Sequence, residues 1–198
     1  MGAQAPLSRS PFCVYYCIVV YTIVVDADGL IKLGKSGALP ALLKAARVLV
    51  PQAVWEEAVE EGKRRMYEDA QELEAALSEG DAEVVSHAIG EEAERLLEGS
   101  AASFGAGERE AVAVYFAAEA DAVLTDDRAF MGLLAGADPP VPALVPASAI
   151  VALAEGGRVS VDEAREALAK IEPAIRRSVY AAAMEDLETM QRARDGEQ

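Results

Sequence analysis

The chain is poor in the residues that carry the commonest site chemistries. It has one histidine, His87, and two cysteines, Cys13 and Cys17. That ligand count excludes a structural zinc site, which needs four nitrogen or sulfur donors. It also excludes a serine–histidine or cysteine–histidine nucleophile pair, because His87 lies in a charged, peripheral stretch. Cys13 and Cys17 stand four apart in an apolar run. On a strand their Cα atoms would be about 13 Å apart, too far for a disulfide, and the cytosol is the expected compartment. Basic residues are also scarce: 18 Lys and Arg against 34 Asp and Glu, a net charge of −16. A binder relying on a broad basic face is therefore excluded. Most of these acids read as solvated surface. No apolar run is long enough to span a bilayer. The longest, residues 12–25, stops at Asp26 without a small-residue cleavage pattern, which argues against both an anchor and a signal peptide. Residues 1–11 read as disordered.

Just over half of the 198 residues are apolar, enough for one domain with a sizeable core. The run ending Ile23-Val24-Val25 is rich in β-branched and aromatic residues and reads as a buried central strand. Asp28 reads as a cap for a following helix that Gly34 and Gly37 break. Residues 38–46 form a second helix with Pro40 in its first turn, and 47–50 a second strand. A helix opens after Pro51. Residues 60–100 are a charged helical insertion with a short strand at 82–86. Helices follow at 91–98 and from Glu108, then a strand at 122–125, a helix at 128–135 and a last strand at 143–145. Ser160 and Glu163 make a capping box, and Pro173 opens a final helix reaching about Arg194. The order βα-βα-βα-βα-β-α predicts an α/β fold with a mostly parallel sheet of four to five strands between helical layers. The domain spans 12–150, and a C-terminal helical extension, 151–198, packs on it.

Acids gather at particular points of this pattern. Two apolar strands end in doublets, Asp26-Ala27-Asp28 and Asp126-Asp127. Two helix starts carry Glu56-Glu57 and Glu108-Arg109-Glu110. Parallel strands bring all four to one edge of the sheet, where α/β folds bind ligands. Unpaired carboxylates in one pocket repel and take up protons. A divalent cation such as Mg²⁺ or Mn²⁺ removes that penalty, can acidify a bound water and can stabilise charge on a phosphate. Each acid alone has a plainer reading: Asp26 as a turn or cap, Glu108 and Glu110 as complements to a helix dipole, Glu56 and Glu57 as a solvated face.

The order of four motifs carries a resemblance. They are Val24-Val25-Asp26-Ala27-Asp28-Gly29-Leu30-Ile31, Val50-Pro51-Gln52-Ala53-Val54-Trp55-Glu56-Glu57-Ala58, Gly107-Glu108-Arg109-Glu110-Ala111-Val112-Ala113, and Val123-Leu124-Thr125-Asp126-Asp127-Arg128-Ala129-Phe130. The chain resembles the PIN-domain nucleases, especially the VapC-like branch and its bacterial and archaeal relatives. The resemblance implies a three-layer α/β/α fold and a Mg²⁺- or Mn²⁺-dependent ribonuclease acting on single-stranded RNA. Asp26, Glu57, Glu108 and Asp127 match the family's acids. Asp26, Asp127 and Glu108 would serve the metal, and Glu57 and Glu108 would hold its waters or a second ion. Glu56 and Glu110 are rivals of their neighbours, Asp28 and Asp126 additional candidates, and Thr125 a hydrogen-bonding support for the loop. Arg109 and Arg128 are the expected substrate-binding cations. A homodimer and a small antitoxin partner are implied as well. The long 60–100 region and the tail depart from compact toxins. A non-catalytic metal-binding interaction module is the alternative. A phosphoryl-transfer fold with a nucleophilic aspartate would need a lysine after a late strand, and 143–157 contain none.

Overall fold

The structure is a computed structural model that describes residues 21–80, 82–98 and 104–196. Cys13, Cys17 and the beginning of the apolar run lie outside the described residues. Five strands, β1 (Thr22–Val25), β2 (Arg47–Pro51), β3 (Ala82–Val85), β4 (Ala122–Leu124) and β5 (Ala143–Leu144), form one sheet. Their order is β3-β2-β1-β4-β5, and every pairing is parallel. The chain leaves β1 toward β2 on one side and returns to β4 on the other. Parallel strands with this reversal of order open a crevice at the carboxyl ends of the two middle strands, here β1 and β4.

Alternating side chains feed two cores. Ile23 and Val25 of β1, Val48 and Val50 of β2 and Leu124 of β4 enter one. It is closed by α1 (Ala27–Ser36), α2 (Leu39–Ala45), α5 (Glu68–Glu79), α9 (Pro146–Glu155), α10 (Val161–Ile171) and α11 (Arg177–Gly196). Val24, Leu49 and Val123 point to the other face, where α6 (Glu91–Leu97), α7 (Ala106–Ala117) and α8 (Arg128–Ala135) close a second core. The period-two switch of strand side chains between faces is what makes three layers. Among the described residues no helix is long and apolar enough to cross a membrane.

Several local expectations are corrected. Asp26, not Asp28, caps α1: its side chain accepts from the Gly29 N–H, and Asp28 falls inside the first turn. Gly34 lies within α1, which ends at Gly37, where φ is +78° and a side chain would be strained. After Pro51 the chain runs through α3 (Gln52–Trp55), a π-helical segment (Glu56–Glu61) and α4 (Gly62–Arg64). Pro173 opens no long helix. It sits in a 3₁₀ turn (Glu172–Ala174), Ile175 is extended at φ −118° and ψ 163°, and α11 begins only at Arg177. Proline's fixed φ suits either kind of helical turn, so the residue alone does not distinguish them.

The last helix packs on the molecule's own core, with Ala183 and Leu187 buried in the same cluster as β1 and α9. Leu187→Ala should therefore destabilise the whole domain by about 2–5 kcal/mol, the range for a buried leucine truncation. Urea unfolding followed by far-UV circular dichroism checks this. A separately melting last helix, with the main transition unmoved, would contradict it.

Candidate active site

The site begins with a backbone problem: α1 must start directly over the end of β4. A Cβ at Gly29 would come within 2.7 Å of the Leu124 carbonyl oxygen and 2.9 Å of Asp26 Oδ1. Only glycine permits that approach, so Gly29 belongs to the site although it bears no chemistry. Asp26 is 3% exposed. Its Oδ1 accepts from the Gly29 N–H at 2.7 Å, its Oδ2 accepts from the Thr125 hydroxyl, and its own N–H donates to the Leu124 carbonyl at 3.0 Å. Thr125 is fully buried, and its hydroxyl oxygen also accepts from the Asp127 N–H at 3.1 Å. Asp127 in turn caps α8, accepting from the Phe130 N–H at 2.7 Å, and its side chain is exposed. One threonine thus ties the acid of β1 to the acid-bearing loop of β4.

The remaining acids divide by what they touch. Burial first, then the charges of Glu108, Glu61 and Asp28, pushes the Glu57 carboxyl above its ordinary range. Glu57 stands in the π-helical segment, and a Cβ on Gly107 would lie 3.4 Å from its Oε2, so the start of α7 passes close beside it. Glu108 occupies the first turn of α7. Asp26 has its pKa raised to about 6, chiefly by burial. Hydrogen bonds from Thr125 and Gly29 oppose this, while Asp28 and Glu108 add to it. Asp26, Asp28, Glu57 and Glu108 therefore share one negative field.

Other candidates are committed elsewhere. Glu110 accepts from the Ala53 N–H and the Ser86 hydroxyl, both at 2.6 Å, and so satisfies the start of α3 while holding the chain after β3. Glu56 is exposed and accepts from Gln52 Nε2 at 3.1 Å. Asp126 is buried and paired: Lys32 Nζ lies 2.8 Å from its Oδ2 and 2.6 Å from Asp28 Oδ2. Burial pulls the Lys32 pKa down, yet the bonds to Asp126 and Asp28 outweigh it and the net shift is upward. Arg176 Nη2 stands 3.8 Å from Asp126 Oδ1. Arg109 follows Glu108 on α7 and is partly buried, and Arg128 is exposed at the start of α8. Sequence reasoning missed Gly29, the clamp made by Lys32, and Arg176. The Asp28–Lys32 spacing of four on one helix was a usable signal for the clamp.

The donor set fits a hard divalent ion by charge and by chemistry. It is all carboxylate oxygen, and burial without a compensating cation is what raises Asp26. It is not a finished cage: among the described residues no three carboxylate, thiolate or imidazole groups converge closely enough to hold an ion.

The raised pKa of Asp26 has a consequence for stability. A carboxyl that binds its proton more tightly when folded stabilises the protein fully below the unfolded pKa near 3.8. That contribution is lost as pH rises through about 6. Without divalent ions, Asp26→Asn should gain stability over the parent as pH rises, reaching about 3 kcal/mol near pH 8. The gap should shrink toward pH 4. Urea unfolding across that range measures it, and a pH-independent difference would contradict the assignment.

No curated protein and no solved structure matches the chain significantly. A family model described as a PIN domain matches residues 22–131, more than half of the chain and all four acid-bearing motifs, and the chain therefore belongs to the PIN-domain family.

Proposed function

We propose that this chain is a metal-dependent endoribonuclease that hydrolyses phosphodiester bonds in single-stranded RNA. PIN domains are generally nucleases and typically use divalent metals. The observation that carries the reading is a buried carboxyl, Asp26, at the end of β1, with the negative charges of Asp28 and Glu108 acting on it and Glu108 also acting on Glu57. Acids gathered so that they raise one another's pKa cost stability, and a nuclease needs such a gathering to hold Mg²⁺ or Mn²⁺.

In this reading Asp26, Glu108 and Asp127 hold the ion. When bound, the ion supplies an acidified water and stabilises charge on the phosphate. The protein's own contribution is positional. Gly29 and Thr125 fix both oxygens of Asp26, so the carboxylate has no rotamer freedom to lose. Thr125 passes that order to the Asp127 backbone. Glu57, with its raised pKa, is the group suited to take a proton from the attacking water at a carboxylate oxygen. A toxin role, an inhibiting antitoxin, a homodimer and a cytoplasmic setting belong to the same reading. Their support is the likeness to VapC-type sequences in the four motifs.

A second reading is a PIN-like module that binds metal and a partner without cutting. The two separate in one experiment. With a fluorogenic single-stranded RNA, the parent should cleave with Mn²⁺ and stop with EDTA. Asp26→Asn and Asp127→Asn should each reduce the rate on the order of 100-fold or more while retaining a cooperative melt. Calorimetric Mn²⁺ binding with no turnover would instead establish the interaction module.

A further inference from the structure

Arg176 belongs to the C-terminal helices, outside the four motifs, yet it reaches the edge of the sheet that carries the acids. The break at Ile175 sets it there. Its carbonyl accepts from the N–H groups of Val179 and Tyr180 at 2.9 and 3.0 Å, so the first turn of α11 fixes its backbone. Its side chain is 38% exposed, and Nη2 lies 3.8 Å from Oδ1 of Asp126, whose own side chain is only 4% exposed. That separation is an ion pair without a hydrogen bond. Arg176 Nε and Asp126 Oδ1 are both buried, and neither makes a hydrogen bond among the described residues. A buried guanidinium donor and a buried carboxylate acceptor thus lie together with neither satisfied.

Asp126 is not held in place by this cation, because Lys32 Nζ already donates to its Oδ2 at 2.8 Å while Arg176 makes no hydrogen bond to it. Several other cations are held by carboxylates: Lys35 pairs with Asp69, Arg47 with Glu83, Lys63 with Glu74 and Arg65 with Glu61. A phosphodiester approaching Asp26, Glu57 and Glu108 meets repulsion from a protein of net charge −16. It needs a cation at the mouth whose hydrogen-bonding edge is still available. A guanidinium offers two parallel N–H donors to two phosphate oxygens, a match that a lysine ammonium cannot make.

We infer that Arg176 is a substrate-phosphate contact supplied by the C-terminal extension, parked on Asp126 until a phosphate of single-stranded RNA takes its place. The inference rests on the ribonuclease reading for the identity of the ligand. It adds a binding residue outside the residues that define the family match.

The test is equilibrium binding of a short labelled single-stranded RNA, titrated with salt, in the full chain carrying Asp26→Asn to prevent cleavage, with Mn²⁺ present. Adding Arg176→Ala should weaken binding about tenfold at low salt. It should also flatten the log–log salt slope by about 0.7, the share of one single-strand phosphate contact. Arg176→Lys should keep the slope and lose several-fold in affinity, since charge is retained and the fork is lost. Calorimetric Mn²⁺ affinity should be unchanged in both. Identical RNA affinity and slope after Arg176→Ala would overturn the inference and leave the contact a structural ion pair only. If Arg176→Ala does not fold, Arg176→Lys decides: reduced RNA affinity supports the contact, unchanged affinity overturns it. Cleavage by the native chain keeps the two readings apart. A chain that cuts RNA while Arg176→Ala binds normally sinks only the arginine. A chain that binds through Arg176 but never cuts sinks only the nuclease reading. A chain that neither binds nor cuts RNA sinks both.

Discussion

The hydroxyl of Thr125 is the interaction on which the rest of the site depends. It donates to Asp26 and accepts from the Asp127 N–H, so one buried oxygen joins the two central strand ends in a single orientation. The backbone makes this possible before the side chains do. β1 and β4 are parallel neighbours in register, with Val25 opposite Leu124, which brings Asp26 and Thr125 side by side as the next residues along. Gly29 then lets α1 begin against the Leu124 carbonyl. A larger residue there would push the helix, and with it the cap on Asp26, away from β4. Strand register, a missing Cβ and one hydroxyl together aim a carboxylate.

Electrostatics sorts the acids that this geometry collects. Asp126 and Asp28 share Lys32, and Glu110 is taken by a backbone N–H and a serine. Each of these acids has a donor and holds elements in place, although one oxygen of Asp126 makes no hydrogen bond among the described residues. Asp26 and Glu57 are instead raised by burial and by one another's neighbours. Asp26 is the buried one of the two: it has two hydrogen-bond donors but no cation among the described residues, and burying such a charge favours its protonated form. The persistence of that acid beside the others marks a place where the fold gives up stability, and functional sites are where that occurs.

Much of this was readable in the sequence, and the limits have physical causes. The strand ending at Asp26 was legible because a buried parallel strand needs a continuous apolar run and a turn residue must end it. The parallel sheet followed from strands alternating with helices, and the capping box at Ser160 and Glu163 formed as spaced. The choice of cap for α1 went to Asp28 because local spacing favours either aspartate. Only the contact with β4, a partner about a hundred residues away, selects Asp26. Glu110 could not be separated from Glu108 by pattern, since its partner Ala53 lies 57 residues earlier. Nor could the π-helical segment be foreseen, because Glu56–Glu61 has an ordinary helical composition.

A chain this acidic would have to meet the proposed RNA substrate through local charges. Net charge governs long-range attraction, and at physiological salt charges farther apart than about 8 Å are largely screened. What matters at the site is the local order of charges. Lys32 lies between Asp28 and Asp126, and Arg176 faces Asp126 from the other side. These two cations offset part of the charge of the two outer acids, while Asp28 still adds to the negative field at Asp26 and Glu57, the acids that the proposed function assigns to a divalent ion's site together with Glu108. An ion there would reverse the sign of the field that a phosphate meets. Weak long-range attraction then becomes compatible with phosphate chemistry. Under the proposed function it favours a substrate held by a few short contacts over one gripped along its length.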